Sequence, residues 1–162
     1  MKWEFFIPLI SFLGLIVGII LAKVSPEEMK PGRIFFKVMR LAALFLIVII
    51  SLYYSKVNLI LFAVGLSIGF FLKLGYFYLG AALAGAFMVS KESVLMIASL
   101  IFIYSMPHGT LMESKKKIGP RRLLMSALVF ALPFSFLLTS IEPSYLLSSV
   151  AGLLVGGSRE EF

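Results

Sequence analysis

Long apolar runs separated by short polar stretches make up most of this chain. A bilayer crossing takes roughly 20 apolar residues, or about 16 to 17 where the membrane is thin or distorted. Seven apolar runs follow one another, at residues 3–22, 33–54, 57–72, 76–89, 93–112, 123–141 and 144–157. The pattern predicts an all-α, polytopic transmembrane helical bundle that forms a single domain over residues 1–162. We predict seven crossings, or six if the short run 144–157 does not span the membrane.

The composition supports a membrane location. The chain has 162 residues, of which 60% are hydrophobic, and its mean hydropathy is +1.05. A soluble domain of this size leaves too much of its surface in water to bury that amount of apolar area. We therefore expect a multi-pass protein of the cell membrane, without a sizeable soluble domain.

The positive charge predicts the orientation. The net charge is +7, and cytoplasmic loops of membrane proteins are enriched in Lys and Arg. With the N-terminus outside and the C-terminus inside, the basic residues at the inner face are Lys23, Lys30, Arg33, Lys37, Arg40, Lys73, Lys115, Lys116, Lys117, Arg121, Arg122 and Arg159. Only Lys2, Lys56 and Lys91 then remain at the outer face. A nucleic-acid partner is not favoured, because no basic segment with interleaved aromatic residues lies outside the apolar runs.

Two basic clusters are expected to contact lipid headgroups or a partner protein. Arg33, Lys37 and Arg40 share one face at the start of the second run, so their side chains can reach the headgroup layer together. The second cluster lies between the fifth and sixth runs and contains Lys115, Lys116, Lys117, Arg121 and Arg122. Anionic lipid attracts such clusters.

Small residues recur four positions apart and predict close helix packing. The residues in question are Gly14, Gly18, Gly65, Gly69, Gly80, Ala84, Gly85, Gly152 and Gly156. Small side chains let helix backbones approach each other closely in lipid. Packing within the chain is the favoured interpretation, with dimerisation through one exposed face as the alternative. The fourth run is the best candidate for a central, tightly packed helix.

The single histidine lies in the sequence Pro107-His108-Gly109, and an acidic residue, Glu113, follows it. Proline and glycine predict a kink or break there, and Pro133 predicts a second kink in the sixth run. His108 is either a proton carrier or a structural hydrogen-bonding group. We favour the structural role, because no other ionisable residue is available in midspan to form a relay. Glu113 is expected to pair with His108 or with the nearby lysines, or to be solvated.

The tyrosines are expected to anchor the protein at the membrane surfaces. Tyrosine is enriched at both membrane–water interfaces, where its ring sits at the headgroup level. Near the outer surface this predicts anchors at Tyr53, Tyr54 and Tyr145, and near the inner surface at Tyr76, Tyr78 and Tyr104.

The residues that are missing argue against an enzyme. The chain has no Cys, no Asp and no Gln, and only one Asn. Aspartate-rich magnesium sites and zinc ligand clusters cannot be built from it, so no metal site and no cofactor are expected. A serine activated by His108 stays open in principle, but no Gly-x-Ser-x-Gly stretch is present. The scarcity of thermolabile residues fits a thermophilic source, although the apolar composition explains part of it.

Three features resemble the stage II sporulation protein M family of membrane proteins. Asn58 opens a glycine-containing helix, a small-residue helix follows at 80–86, and Pro107-His108-Gly109 precedes Glu113. Two positions depart from the family pattern: Glu113 comes one position later, and Leu79-Gly80 stands where the family has Asn-Gly. The resemblance covers about a third of the chain. It implies a non-enzymatic membrane protein that organises or supports partner proteins.

Two functions are therefore considered. The first is a membrane scaffold or assembly factor in cell-envelope processes, with membrane lipids and protein partners, or further copies of itself, as its contacts. The second is a small transporter or channel component with a cavity near Pro107 and Pro133, in which His108 responds to pH.

Overall fold

The computed structural model of the protein describes residues 6–27, 29–55, 58–72, 74–114, 119–138 and 142–158. Within these ranges the regular structure is helical throughout. The elements in chain order are α1 (Phe6–Val24), α2 (Met29–Tyr54), α3 (Leu59–Phe71), α4 (Gly75–Val89), α5 (Lys91–Ser114), α6 (Pro120–Ala131), a 3₁₀ helix (Leu132–Leu138) and α7 (Pro143–Gly157). The prediction of an all-α fold is confirmed, and each apolar run corresponds to one helical segment.

Local sequence explains where several helices begin. Asn58 caps α3, because its side-chain oxygen accepts a hydrogen bond from the backbone N–H of Leu61 at 3.3 Å. Pro120 and Pro143 occupy the first turns of α6 and α7, where the absence of a proline N–H costs no helical hydrogen bond. These residues separate each helix from the polar connection that precedes it.

Prolines in and next to the predicted segments have different effects. Pro31 lies in the first turn of α2, so this helix begins earlier than the pattern predicts. Pro107 lies inside α5, which remains α-helical on both sides of it, so the helix is not broken there. At Pro133 the sixth segment does change, from an α-helix to a 3₁₀ helix. The hydroxyl of Ser135 donates to the carbonyl oxygen of Leu132 at 2.9 Å in this stretch.

Helices α1 and α5 pack closely and run in the same direction. A side chain added to a glycine in this contact would overlap backbone atoms of the other helix. The glycines and the carbonyl groups that approach them are Gly14 with Phe102, Gly18 with Met106 and Gly109 with Leu15. The residue numbers of the first two pairs rise together, so the helices are parallel. Close backbone approach of this kind is how small residues hold helices together in lipid.

Helices α3 and α7 form a second parallel pair, with glycines on both sides of the contact. The contacts are Gly65 with Ser149, Gly69 with Leu153, Gly152 with Phe62 and Gly156 with Leu66. The backbone N–H of Asn58 also donates to the hydroxyl of Ser148 at 3.1 Å, which ties the start of α3 to α7. These glycines therefore serve packing within the chain.

Helix α4 is the centre of the molecule. Every residue from Tyr78 to Ala86 is buried, and α4 packs against α5, α6, α7 and the 3₁₀ helix. The carbonyl of Phe130 fits against Gly80, and the side chains of Leu146 and Leu147 fit against Gly85. A helix that is apolar all round is stable where other helices cover every face.

Segments that follow one another in the sequence run in opposite directions. Two helices are antiparallel when the residue numbers rise along one helix and fall along the other. Helices α2 and α5 are antiparallel, as the contacts of Tyr54 with Met96 and of Arg40 with His108 show. Helices α4 and α7 are antiparallel as well, through Gly85 with Leu146 and Tyr78 with Gly157. Helix α4 is parallel to the sixth segment, through Gly80 with Phe130 and Phe87 with Phe134. Thus α2, α4 and α6 begin at one end of the molecule, where α1, α3, α5 and α7 finish.

Three helices are long and apolar enough to cross a membrane by length and composition: Phe6–Val24, Pro31–Tyr54 and Lys91–Glu113. The shorter apolar helices are Leu59–Phe71, Gly75–Val89 and Pro143–Gly157. At 1.5 Å per residue these shorter helices span about 20 to 22 Å, less than the roughly 30 Å of a bilayer core. The last two of them are largely buried in protein, so lipid thickness does not determine their whole length.

Candidate functional site

The candidate site lies where α2, α4 and α5 meet near the end at which α2 and α4 begin. It consists of four side chains: Arg40, Tyr76, Tyr104 and His108. Arg40 is 14 residues before the end of α2, or about 21 Å along a helix. Arg40 therefore lies in the half of α2 nearer to the start of that helix.

Tyr104 and His108 are one helical turn apart on the same face of α5, which brings their rings together. The rings stack with centroids 5.7 Å apart and an interplanar angle of 16°. Tyr104 is buried, with 4% of its surface exposed, and His108 is partly buried. Stacking on a buried ring fixes the plane of the imidazole.

Arg40 reaches the histidine from α2. Its Nη1 lies 3.2 Å from Nδ1 of His108, a contact between residues 68 positions apart in sequence. A guanidinium group has only donors, so Nδ1 must be the acceptor. This contact selects the neutral tautomer of His108 that carries its proton on Nε2. A doubly protonated imidazolium would oppose one N–H to another at this distance.

Tyr76 completes the cluster from the first turn of α4. Its ring meets the imidazole edge-on, with centroids 5.5 Å apart and an interplanar angle of 80°. The ring of Tyr76 also packs on that of Phe12 of α1, with the ring centroids 6.1 Å apart. The cluster therefore joins α1, α2, α4 and α5.

The residues next to His108 secure α5 against α1. Gly109 admits the carbonyl group of Leu15, as described above. The hydroxyl of Thr110 lies 3.1 Å from the carbonyl oxygen of Gly18 and 2.9 Å from that of Met106. The Pro-His-Gly motif and its following threonine thus combine a polar group facing α2 with a tight contact to α1.

The other predicted site residues do not gather at this cluster. Glu113 is partly buried near the end of α5, while Arg33 and Lys37 on α2 and Arg121 and Arg122 on α6 are exposed. Lys115, Lys116 and Lys117 lie outside the described residues. Arg40 differs from its neighbours Arg33 and Lys37, since it points into the protein and contacts His108.

The inner tyrosines are not the surface anchors that the sequence pattern predicts. Tyr76 and Tyr104 pack on His108, and Tyr78 is buried, with its hydroxyl donating to the carbonyl oxygen of Leu72. Tyr53 and Tyr145, at the opposite end, are 78% and 50% exposed. The four-residue spacing of Tyr104 and His108 is the one sequence signal that indicates part of the cluster; nothing local indicates Arg40.

The chemistry available at this cluster is hydrogen bonding and proton exchange at one imidazole held next to a fixed positive charge. Within the described residues, no group of three or more His, Cys, Asp or Glu side chains could hold a metal ion. No family model, curated protein or solved structure matches the chain.

Proposed function

We propose that this protein is a multi-pass integral membrane protein that acts as a non-enzymatic scaffold or assembly factor. In this proposal the chain crosses the bilayer seven times, with its N-terminus outside, and its inner face binds anionic lipid and a partner protein. The resemblance to the stage II sporulation protein M family supports a role in organising other proteins of the cell envelope.

The observation that carries the proposal is the exposed basic charge at one end of the molecule. Arg33 and Lys37 begin α2 and Arg121 and Arg122 begin α6, and these two helices start at the same end. Lys23, in the last turn of α1, is exposed at that end as well. The helices behind this surface are held by close backbone contacts through glycine, which gives a rigid support for a docking surface.

The test is an affinity purification from native membranes in mild detergent, followed by mass spectrometry of co-eluting proteins. The wild type is compared with the double variant Arg121→Ala/Arg122→Ala and with Lys91→Ala, a matched control at the opposite end. We expect a stoichiometric partner that survives a salt wash, is lost in the double variant and is kept in the control. A homo-oligomer without any partner would contradict the scaffold proposal.

The contact between Arg40 and His108 favours a second candidate, a small transporter or channel component. Ionisable residues within membrane segments often mark ion or proton paths. The test is pH-driven flux in proteoliposomes with the wild type and His108→Ala. Flux that is present in the wild type and lost in the variant would favour transport through this cluster, whereas no flux in the wild type would argue against it.

A further inference from the structure

A groove of about 300 Å³ lies between α2 and α3, with the end of α7 as its floor. Its lining residues are Leu41, Leu44, Phe45, Val48, Leu66, Phe70, Val155, Gly156 and Ser158. The groove forms because α2 and α3 both pack on α7, and the end of α7 lines it between them.

The groove is apolar along its whole length. On α2 its residues occur at intervals of three and four, so they form one stripe along that helix. The stripe runs from Leu41 to Val48, about 10 Å along the helix axis. The hydroxyl of Ser158, the polar side chain of the lining, already donates to the carbonyl oxygen of Val155 at 2.8 Å.

A positive charge stands at one end of this apolar stripe. Lys37 is one helical turn before Leu41 on the same side of α2, and its side chain is exposed. Arg33 is exposed one further turn towards the start of the helix. In the proposed orientation, the charge is at the inner headgroup layer and the groove extends from it towards the middle of the bilayer.

We propose that this groove binds one anionic phospholipid of the inner leaflet, with an acyl chain along the α2 stripe and the phosphate group at Lys37. The order of charge and apolar surface along α2 is the order of headgroup and acyl chain in such a lipid. An ammonium group attracts a phosphate as a point charge. The inference rests on the proposed membrane location, but not on the scaffold role.

The experiment titrates the purified full-length protein in detergent with phosphatidylglycerol or phosphatidylcholine and follows bound lipid by native mass spectrometry. We expect the wild type to prefer phosphatidylglycerol. Lys37→Ala should weaken phosphatidylglycerol binding about five-fold, the equivalent of one such charge contact, and leave phosphatidylcholine binding unchanged. Lys37→Arg should retain the preference. Lys91→Ala, which removes an exposed lysine at the opposite end of the molecule, is the matched control.

A second variant tests the groove itself. Leu41→Trp places a large side chain in the groove and should reduce binding of both lipids, while thermal unfolding in detergent shows whether the variant is folded. Equal binding of the two lipids by the wild type would overturn the proposal. Equal losses of phosphatidylglycerol binding in Lys37→Ala and Lys91→Ala would also overturn it. So would a folded Leu41→Trp variant that changes only the oligomeric state, because that result would indicate a second copy of the chain in the groove. If the protein prefers phosphatidylglycerol but no partner protein co-purifies with it, the lipid proposal holds and the scaffold proposal fails.

Discussion

At the scale of single residues, the contact of Arg40 with His108 makes a clear prediction. His108→Ala removes the acceptor for a partly buried guanidinium group as well as the ring that stacks on Tyr104. Removing one partner of a buried hydrogen bond to a charged group costs about 1 to 3 kcal/mol. We expect a lower midpoint of thermal unfolding in detergent. His108→Gln, which keeps an acceptor, should lose less.

The control for this prediction is Ser99→Ala on the same helix. Ser99 is exposed, and its hydroxyl donates to the carbonyl oxygen of Leu95 in its own helix at 2.7 Å. Its removal should leave the unfolding midpoint nearly unchanged. If the His108→Ala and Ser99→Ala midpoints coincide, the Arg40 contact does not contribute to stability.

The glycines make a second prediction at this scale. A methyl group added at Gly18 would overlap the carbonyl group of Met106, whereas one added at Gly119 meets no atom within 4 Å. Overpacking of a close contact costs typically about 1 to 3 kcal/mol. Gly18→Ala should therefore lower the unfolding midpoint by several degrees, and Gly119→Ala should not. Equal midpoints for the two variants would show that the close contact between α1 and α5 does not contribute to stability.

At the scale of helices, the start of α3 can be tested through its cap. Asn58→Ala removes the side-chain acceptor for the N–H of Leu61. Loss of an Asn cap costs typically about 1 kcal/mol. We expect thermal unfolding in detergent at a lower temperature for this variant. Ser67→Ala within α3 is the control, because the Ser67 hydroxyl is exposed and donates to the carbonyl oxygen of Ala63 in the same helix. A similar shift in both variants would contradict a capping role.

The helices themselves could be predicted from the sequence because their signal is strong and local. Apolar runs, Asn58 and the prolines at helix starts each act on a few neighbouring residues, and the predicted segments lie close to the observed ones. The beginning of α2 and the continuity of α5 through Pro107 could not be predicted. Both depend on whether surrounding helices support a backbone that proline disfavours.

The candidate site could be predicted only in part, for the same reason. His108 is a candidate because it is the single histidine, but its partner Arg40 lies 68 positions earlier in the sequence, on another helix. The spacing of Arg33, Lys37 and Arg40 predicts that all three reach the headgroup layer together, but Arg40 turns into the protein and contacts His108. Tyr76 and Tyr104 are of a residue type that is typical of membrane interfaces. Only the packing of α4 and α5 directs their rings towards the histidine.

At the scale of the whole molecule, the alternating helix directions predict which ends are accessible from each side of the membrane. The chain has no cysteine, so single cysteines can be introduced and labelled with a membrane-impermeant maleimide in intact cells. Lys91→Cys and Glu142→Cys replace exposed residues at the proposed outer face, and Lys23→Cys and Arg121→Cys replace exposed residues at the proposed inner face. The first two should label in intact cells, and the other two only after permeabilisation.

The same labelling separates seven crossings from six. Helix α7 runs antiparallel to α4 and parallel to α3, so its end lies with the beginnings of α2, α4 and α6. With Glu142→Cys labelled from outside, a cysteine at Phe162 should be protected in intact cells if α7 crosses the bilayer. Its 15 residues span only about 22 Å, but its contacts with α3 and α4 shield most of it from lipid, which removes the usual requirement for a longer helix. Labelling of both positions from outside would show that α7 enters the membrane and leaves it on the same side. The C-terminal end of the chain would then not be part of the basic inner face.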